Sequence, residues 1–169
     1  MDSDKRKIRT APMEKEINND NPGVIIPPPI IFIGFGLLGV LINYLNPLTI
    51  AGPSWLVYLG VLILIASFLG FGYMINFFKK NETEIEPSKT TSKIITSGLY
   101  KYSRNPVYII YCAGPIGLGF IFMTYWSMFA IIPALIVIYF TAVKKEEQYL
   151  EKKFGQEYLD YKKKVRRWI

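Results

Sequence analysis

Histidine is absent from all 169 residues, and Cys112 is the single cysteine. The first absence removes the commonest general base and the commonest metal ligand. The second forbids an internal disulfide and leaves no zinc or iron–sulfur site, so no metal is expected. Cys112 lies inside an apolar run and reads as a small buried hydrophobe. Charge is also missing over long stretches. No Asp, Glu, Lys or Arg occurs from Asn21 to Phe78, and none from Asn105 to Val143. A charge at mid-bilayer costs roughly 3 kcal/mol or more, so such runs mark membrane spans and exclude a soluble globular domain. The mixed-charge opening has no apolar core behind it, and no cleaved signal peptide is expected.

What is present fits that frame. The 33 charged residues (20 Lys and Arg, 13 Asp and Glu) fall into three blocks, 1–20, 79–104 and 144–169. Apolar runs between them predict an all-α integral membrane protein with about four transmembrane helices. The first is expected from Pro28 to Leu45, after Asn21-Pro22-Gly23 and the triple proline. Gly34, Gly36 and Gly39 permit close contact there. The second runs from Ser54 to Phe78, with Ala66 and Gly70 as a small-residue packing pair. The third starts at Pro106 and ends near Met123, kinked at Pro115. Thr124 to Ser127 forms a tight reversal, and a fourth span continues to Val143, kinked at Pro133. The last two spans make a helical hairpin. In the tail, Leu150, Phe154, Tyr158, Tyr161, Val165 and Trp168 recur at spacings of three and four among nine Lys and Arg. That pattern predicts an amphipathic interfacial helix, broken at Gly155. Three units follow: a flexible tail over 1–23, a two-span unit over 24–78, and the polar loop, hairpin and amphipathic tail over 79–169. Every Lys and Arg sits in the charged blocks, so the positive-inside rule places both termini and the 79–104 loop in the cytoplasm, with the cell membrane as the expected location.

The stretch from Ser97 to Tyr108 is the one polar loop that runs straight into an apolar helix. Pro106 suits the first turn of a helix, and Asn105 before it is a natural cap. Free N–H groups at that helix entrance favour a negatively charged ligand. The alternative is a juxtamembrane anchor of Tyr, Lys and Arg. The hairpin should bring this entrance beside Glu146-Glu147 at the exit of the fourth span. Acidic groups at a helix C-terminus oppose its dipole, and Lys144 and Lys145 are the expected compensation.

Gly98-Leu99-Tyr100, Arg104-Asn105-Pro106-Val107-Tyr108 and, after the hairpin, Glu146-Glu147-x-x-Leu150-x-x-x-Phe154-Gly155-x-x-Tyr158-x-x-Tyr161 resemble the isoprenylcysteine carboxyl methyltransferases and their phospholipid methyltransferase relatives. The resemblance covers about residues 92–168. It implies S-adenosylmethionine as methyl donor and membrane lipids as partners, with a lipidic or prenylated acceptor and no nucleic acid. By position, the cofactor contacts are Ser92, Lys93, Ile94, Ile95, Tyr100, Asn105, Pro106, Val107, Tyr108 and Glu146. Arg104 and Asn105 are the implied catalytic pair. Glu146 would meet the ribose hydroxyls or the ammonium, Tyr100 and Tyr108 the sulfonium or adenine, and Arg104 the carboxylate. Two positions depart from the family pattern. Asn105 replaces a histidine and cannot titrate, and Ala142 stands where the carboxyl methyltransferases carry an arginine one turn before the glutamate.

The expected acceptor is an isoprenylcysteine-type carboxylate, which is already a nucleophile and needs no base; positioning and dryness would set the rate. The alternatives are a phospholipid N-methyltransferase, a sterol-reductase-like NADPH enzyme, and a non-enzymatic membrane scaffold. Val107-Tyr108-Ile109-Ile110 lacks the glycine and acid that the reductases carry.

Overall fold

A computed structural model describes residues 21–83 and 91–169; residues 1–20 of the tail expected over 1–23, and loop residues 84–90 with Glu84 and Glu86, lie outside the described residues. The helices are α1 (Pro28–Leu45), α2 (Trp55–Lys80), α3 (Pro106–Ile121), α4 (Tyr125–Phe129), α5 (Ile131–Ile138), α6 (Lys144–Phe154) and α7 (Gln156–Lys164). A 3-10 turn, Gly98–Lys101, precedes α3, and a π-helical turn, Tyr139–Val143, joins α5 to α6. Residues Tyr125–Phe154 thus form one rod. The rod, α1 and α2 are each long and apolar enough to cross a membrane. α3 is a shorter apolar helix of 16 residues, about 24 Å at 1.5 Å per residue.

Proline at its first two positions starts α1, where no backbone donor is lost. α3 packs against both α1 and α2. Its closest approach to α2 is not at Ala66 and Gly70, as the small-residue spacing suggests. Ala66 is exposed, and a methyl on Gly70 would meet Ile110 at an ordinary 3.5 Å. The tight crossing is Gly60 against Gly117, where a Cβ on Gly60 would lie 2.7 Å from the Gly117 carbonyl. Two facing glycines bring the backbones closer than one glycine opposite an isoleucine. Gly39 of α1 backs onto Ser127 in the same way, and Ser127 Oγ shares its hydrogen between the carbonyls of Gly36, at 3.0 Å, and Pro115, at 2.9 Å.

The reversal between α3 and α4 comes at Phe122 and Met123, earlier than expected. Thr124 already caps α4, its Oγ1 accepting from Trp126 N at 3.2 Å. The break attributed to Pro133 falls at Ala130, between α4 and α5. Pro133 has no N–H for the Phe129 carbonyl and its ring crowds that group, which interrupts the helix just upstream. At this end Ile50 N donates to Met123 O at 2.8 Å and Tyr125 N to Leu48 O at 3.0 Å, tying the two short loops together.

Candidate functional site

At the opposite end the hairpin closes on itself. Tyr108, in the first turn of α3, donates its hydroxyl to Glu146 Oε1 of α6 at 2.5 Å. Around this pair lies a cavity of about 150 Å³, or about 930 Å³ counted out through its open mouth. Lys93, Ile94 and Ile95 of the loop line it, with Tyr100, Arg104, Asn105, Val107, Tyr108 and Glu146. Two residues expected there do not line it. Ser92 turns its hydroxyl to the Glu82 carbonyl at 2.9 Å, and Pro106 is buried as the start of α3. The remaining wall includes Phe78 near the end of α2, Thr83 beyond it, Tyr111, Tyr149 and Leu150, and Tyr158 and Tyr161 of α7.

The π turn bears on how the acidic pair is presented. A wider turn changes the angular phase of every residue after it, and neighbours on a helix point about 100° apart. Glu146 lines the cavity, whereas Glu147 turns to the guanidinium groups of Arg104 and Arg167. Because α6 continues straight from the π turn, the two acids stand in its first turn, not at a helix C-terminus. The dipole conflict expected from the sequence therefore does not arise. Lys145 is not their counter-charge either, since its Nζ donates to the Gly23 carbonyl at 3.0 Å.

Arg167 forks onto Glu147, Nε to Oε1 and Nη2 to Oε2, both at 2.9 Å. Arg104 Nη1 also lies 3.0 Å from Glu147 Oε1, with both side chains about nine-tenths buried. That contact is off the hydrogen-bond line, so Arg104 Nε and Nη1 are buried without a hydrogen-bond partner. Such N–H groups are costly to leave unpaired, and Arg104 faces the cavity. Asn105 occupies the cap position of α3, but its side chain makes no cap; Nδ2 donates instead to the Arg167 carbonyl at 3.0 Å. The last chain segment had already claimed that amide.

Three phenols of the cavity outside the spans, Tyr100, Tyr158 and Tyr161, are held above their ordinary range. Burial, then the Glu146 carboxylate, pushes the Tyr100 hydroxyl well above its ordinary value. Tyr158 is pushed up to about 12, first by burial and then by Glu147, with Arg104 pulling the other way. Tyr161 is raised by burial and next by Tyr158, and it donates its hydroxyl to the Tyr100 carbonyl at 2.8 Å. Hydrogen bonding to Glu147 holds the Arg167 guanidinium above its usual range. The site thus offers a guanidinium in charge contact with Glu147 whose Nε and Nη1 make no hydrogen bond, a carboxylate with one hydroxyl donor, and aromatic walls. A bound carboxylate would satisfy the first, and hydroxyls or a cation the second. Flat or cationic groups suit the walls.

Sequence reading had placed the aromatic face of the C-terminal helix in the headgroups. In the fold Tyr158 and Tyr161 are buried against the cavity and Trp168 packs on the core, while Lys163 stays exposed. Their three-and-four spacing signals an apolar face but not what covers it. The pairing of Glu147 with Arg167 carried no such signal, because it joins α6 to the extended segment beyond α7.

A phospholipid methyltransferase family model matches residues 48–157, more than half of the chain and the whole hairpin beneath the cavity. An uncharacterized protein of Haemophilus influenzae is 54% identical over 35 residues, which are 21% of this chain and 56% of that protein. The match thus spans little over half of that relative's length.

Proposed function

The chain belongs to the phospholipid methyltransferase family, and from that premise we propose that it is a membrane methyltransferase that uses S-adenosylmethionine to methylate a lipid at the cavity formed by the two ends of its hairpin. The observation that carries the proposal is the pairing of Tyr108 with Glu146 beside the buried Arg104 guanidinium, whose Nε and Nη1 make no hydrogen bond. Bound S-adenosylmethionine supplies a methyl group to a nucleophilic oxygen or nitrogen and leaves as a neutral thioether. Its carboxylate suits Arg104, and its ribose hydroxyls or ammonium suit Glu146, held in place by Tyr108. Tyr100 and Tyr111 supply neutral aromatic surface for a sulfonium or a purine. Lys93, Ile94 and Ile95 close the loop side, and Val107 sits at the entrance of α3. Asn105 positions the loop through its amide. Ser92 and Pro106 act on the site by holding the loop and starting the helix. For a carboxylate acceptor, rate enhancement would rest on orientation and exclusion of water; an amine acceptor would react as its free base, its proton being released to solvent before the methyl group is transferred.

Two acceptors fit a lipid-facing site of this kind. Position 142, one turn before Glu146, is a buried alanine and supplies no guanidinium to hold an acceptor carboxylate. That favours an aminophospholipid over an isoprenylcysteine carboxylate. The test is transfer of a labelled methyl group from S-adenosylmethionine, catalysed by detergent-purified protein, to phosphatidylethanolamine vesicles or to a farnesylated cysteine. Label in the aminophospholipid supports the favoured reading, and label in the farnesylcysteine supports the second. Label in neither, with NADPH binding instead, would move the protein to the reductase-like reading.

A further inference from the structure

We propose that Arg167 is a positioning residue that keeps Arg104 available to a ligand carboxylate, an inference that rests on the cofactor reading above. Arg167 lies beyond the residues matched by the family model and does not line the cavity. After α7 the chain turns extended at Val165 and runs back beside the loop before α3. There Arg104 N donates to the Arg166 carbonyl at 3.0 Å. The Arg167 carbonyl accepts from Ser103 Oγ at 3.2 Å and from Asn105 Nδ2 at 3.0 Å. The Arg167 guanidinium lies over the Tyr139 ring, 5.1 Å from its centroid, and engages both oxygens of Glu147. A forked guanidinium–carboxylate pair uses the best acceptor directions of that carboxylate. Arg104 is left with a charge contact at 3.0 Å and no hydrogen bond from Nε or Nη1. Were Arg167 absent, Glu147 would accept the fork from Arg104 and draw its guanidinium away from the cavity wall.

The test is calorimetric titration of the full-length, detergent-solubilised protein with S-adenosylhomocysteine, and in parallel with adenosine, which has no carboxylate. Arg167→Ala is expected to weaken S-adenosylhomocysteine binding about tenfold, the size of coupling found within one ion-pair network. Adenosine binding should stay at the wild-type level. Arg167→Lys, a point charge that cannot fork, should fall between. Adding Glu147→Gln to Arg167→Ala should recover much of the lost affinity, because the rival acceptor for Arg104 is then neutral. Equal losses for both ligands, no loss at all, or no recovery in the double variant would overturn the proposal. If Arg167→Ala does not fold, wild-type affinity in Arg167→Lys would overturn it. A wild type that binds adenosine but not S-adenosylhomocysteine overturns the carboxylate role of Arg104 and this inference with it. A wild type that binds neither overturns the cofactor reading itself.

Discussion

At the scale of single residues, the site is governed by which buried polar groups have partners. Tyr108→Phe keeps the ring but leaves the Glu146 carboxylate without its hydroxyl donor. The expected loss is about 1–3 kcal/mol of stability, read as a lower midpoint in thermal unfolding in detergent. Glu147→Ala should cost more, about 3–5 kcal/mol, because it strands Arg104 in a buried position. Asp160→Ala, at the exposed pair with Lys163, should not move the midpoint. The sequence made the cavity side of this picture legible. Tyr100, Arg104, Asn105, Val107, Tyr108 and Glu146 stand at recognisable spacings, and all of them line the cavity. Asn105 shows where that legibility stops. Its residue type predicted a cap, but the Arg167 carbonyl, 62 positions away, took its amide. A local preference worth about 1 kcal/mol yields easily to a tertiary partner.

At the scale of elements, spans were readable because lipid demands long runs without charge. Pro28–Leu45 has the bounds the sequence suggested, and α2 overruns Phe78 by only two residues. The contacts between spans were less readable, since many small residues are candidates and only some meet a partner. Gly60→Ala should push α2 from α3 and destabilise by about 1–3 kcal/mol. Gly34→Ala has no atom within 4 Å of its new methyl and should leave the unfolding midpoint unchanged. Equal effects of the two substitutions would contradict this packing. The π turn Tyr139–Val143 was not legible at all. It comprises an ordinary aromatic and β-branched stretch, yet it precedes the divergence of Glu146 toward the cavity and Glu147 toward Arg167.

At the scale of the whole molecule, the chain is a lipid-covered helix bundle with its polar chemistry gathered at one end. The short loops joined through Thr49 and Thr124 mark the other end. The positive-inside reading of the charge blocks predicts that the cavity end faces the cytoplasm and the short loops face the other side. With Cys112 replaced by Ser, a membrane-impermeant maleimide should label Ala51→Cys from outside the cell. Lys101→Cys should react only after the membrane is opened, and the reverse pattern would invert the orientation. The central claim is that residues from both ends of the hairpin hold one nucleoside cofactor. Its most direct test is calorimetric titration of S-adenosylhomocysteine into detergent-purified wild type and Glu146→Gln. Saturable one-site binding to the wild type is expected, weakened at least tenfold by the substitution, about 1.4 kcal/mol or more. Equal binding to the two proteins, or none to the wild type, would contradict it.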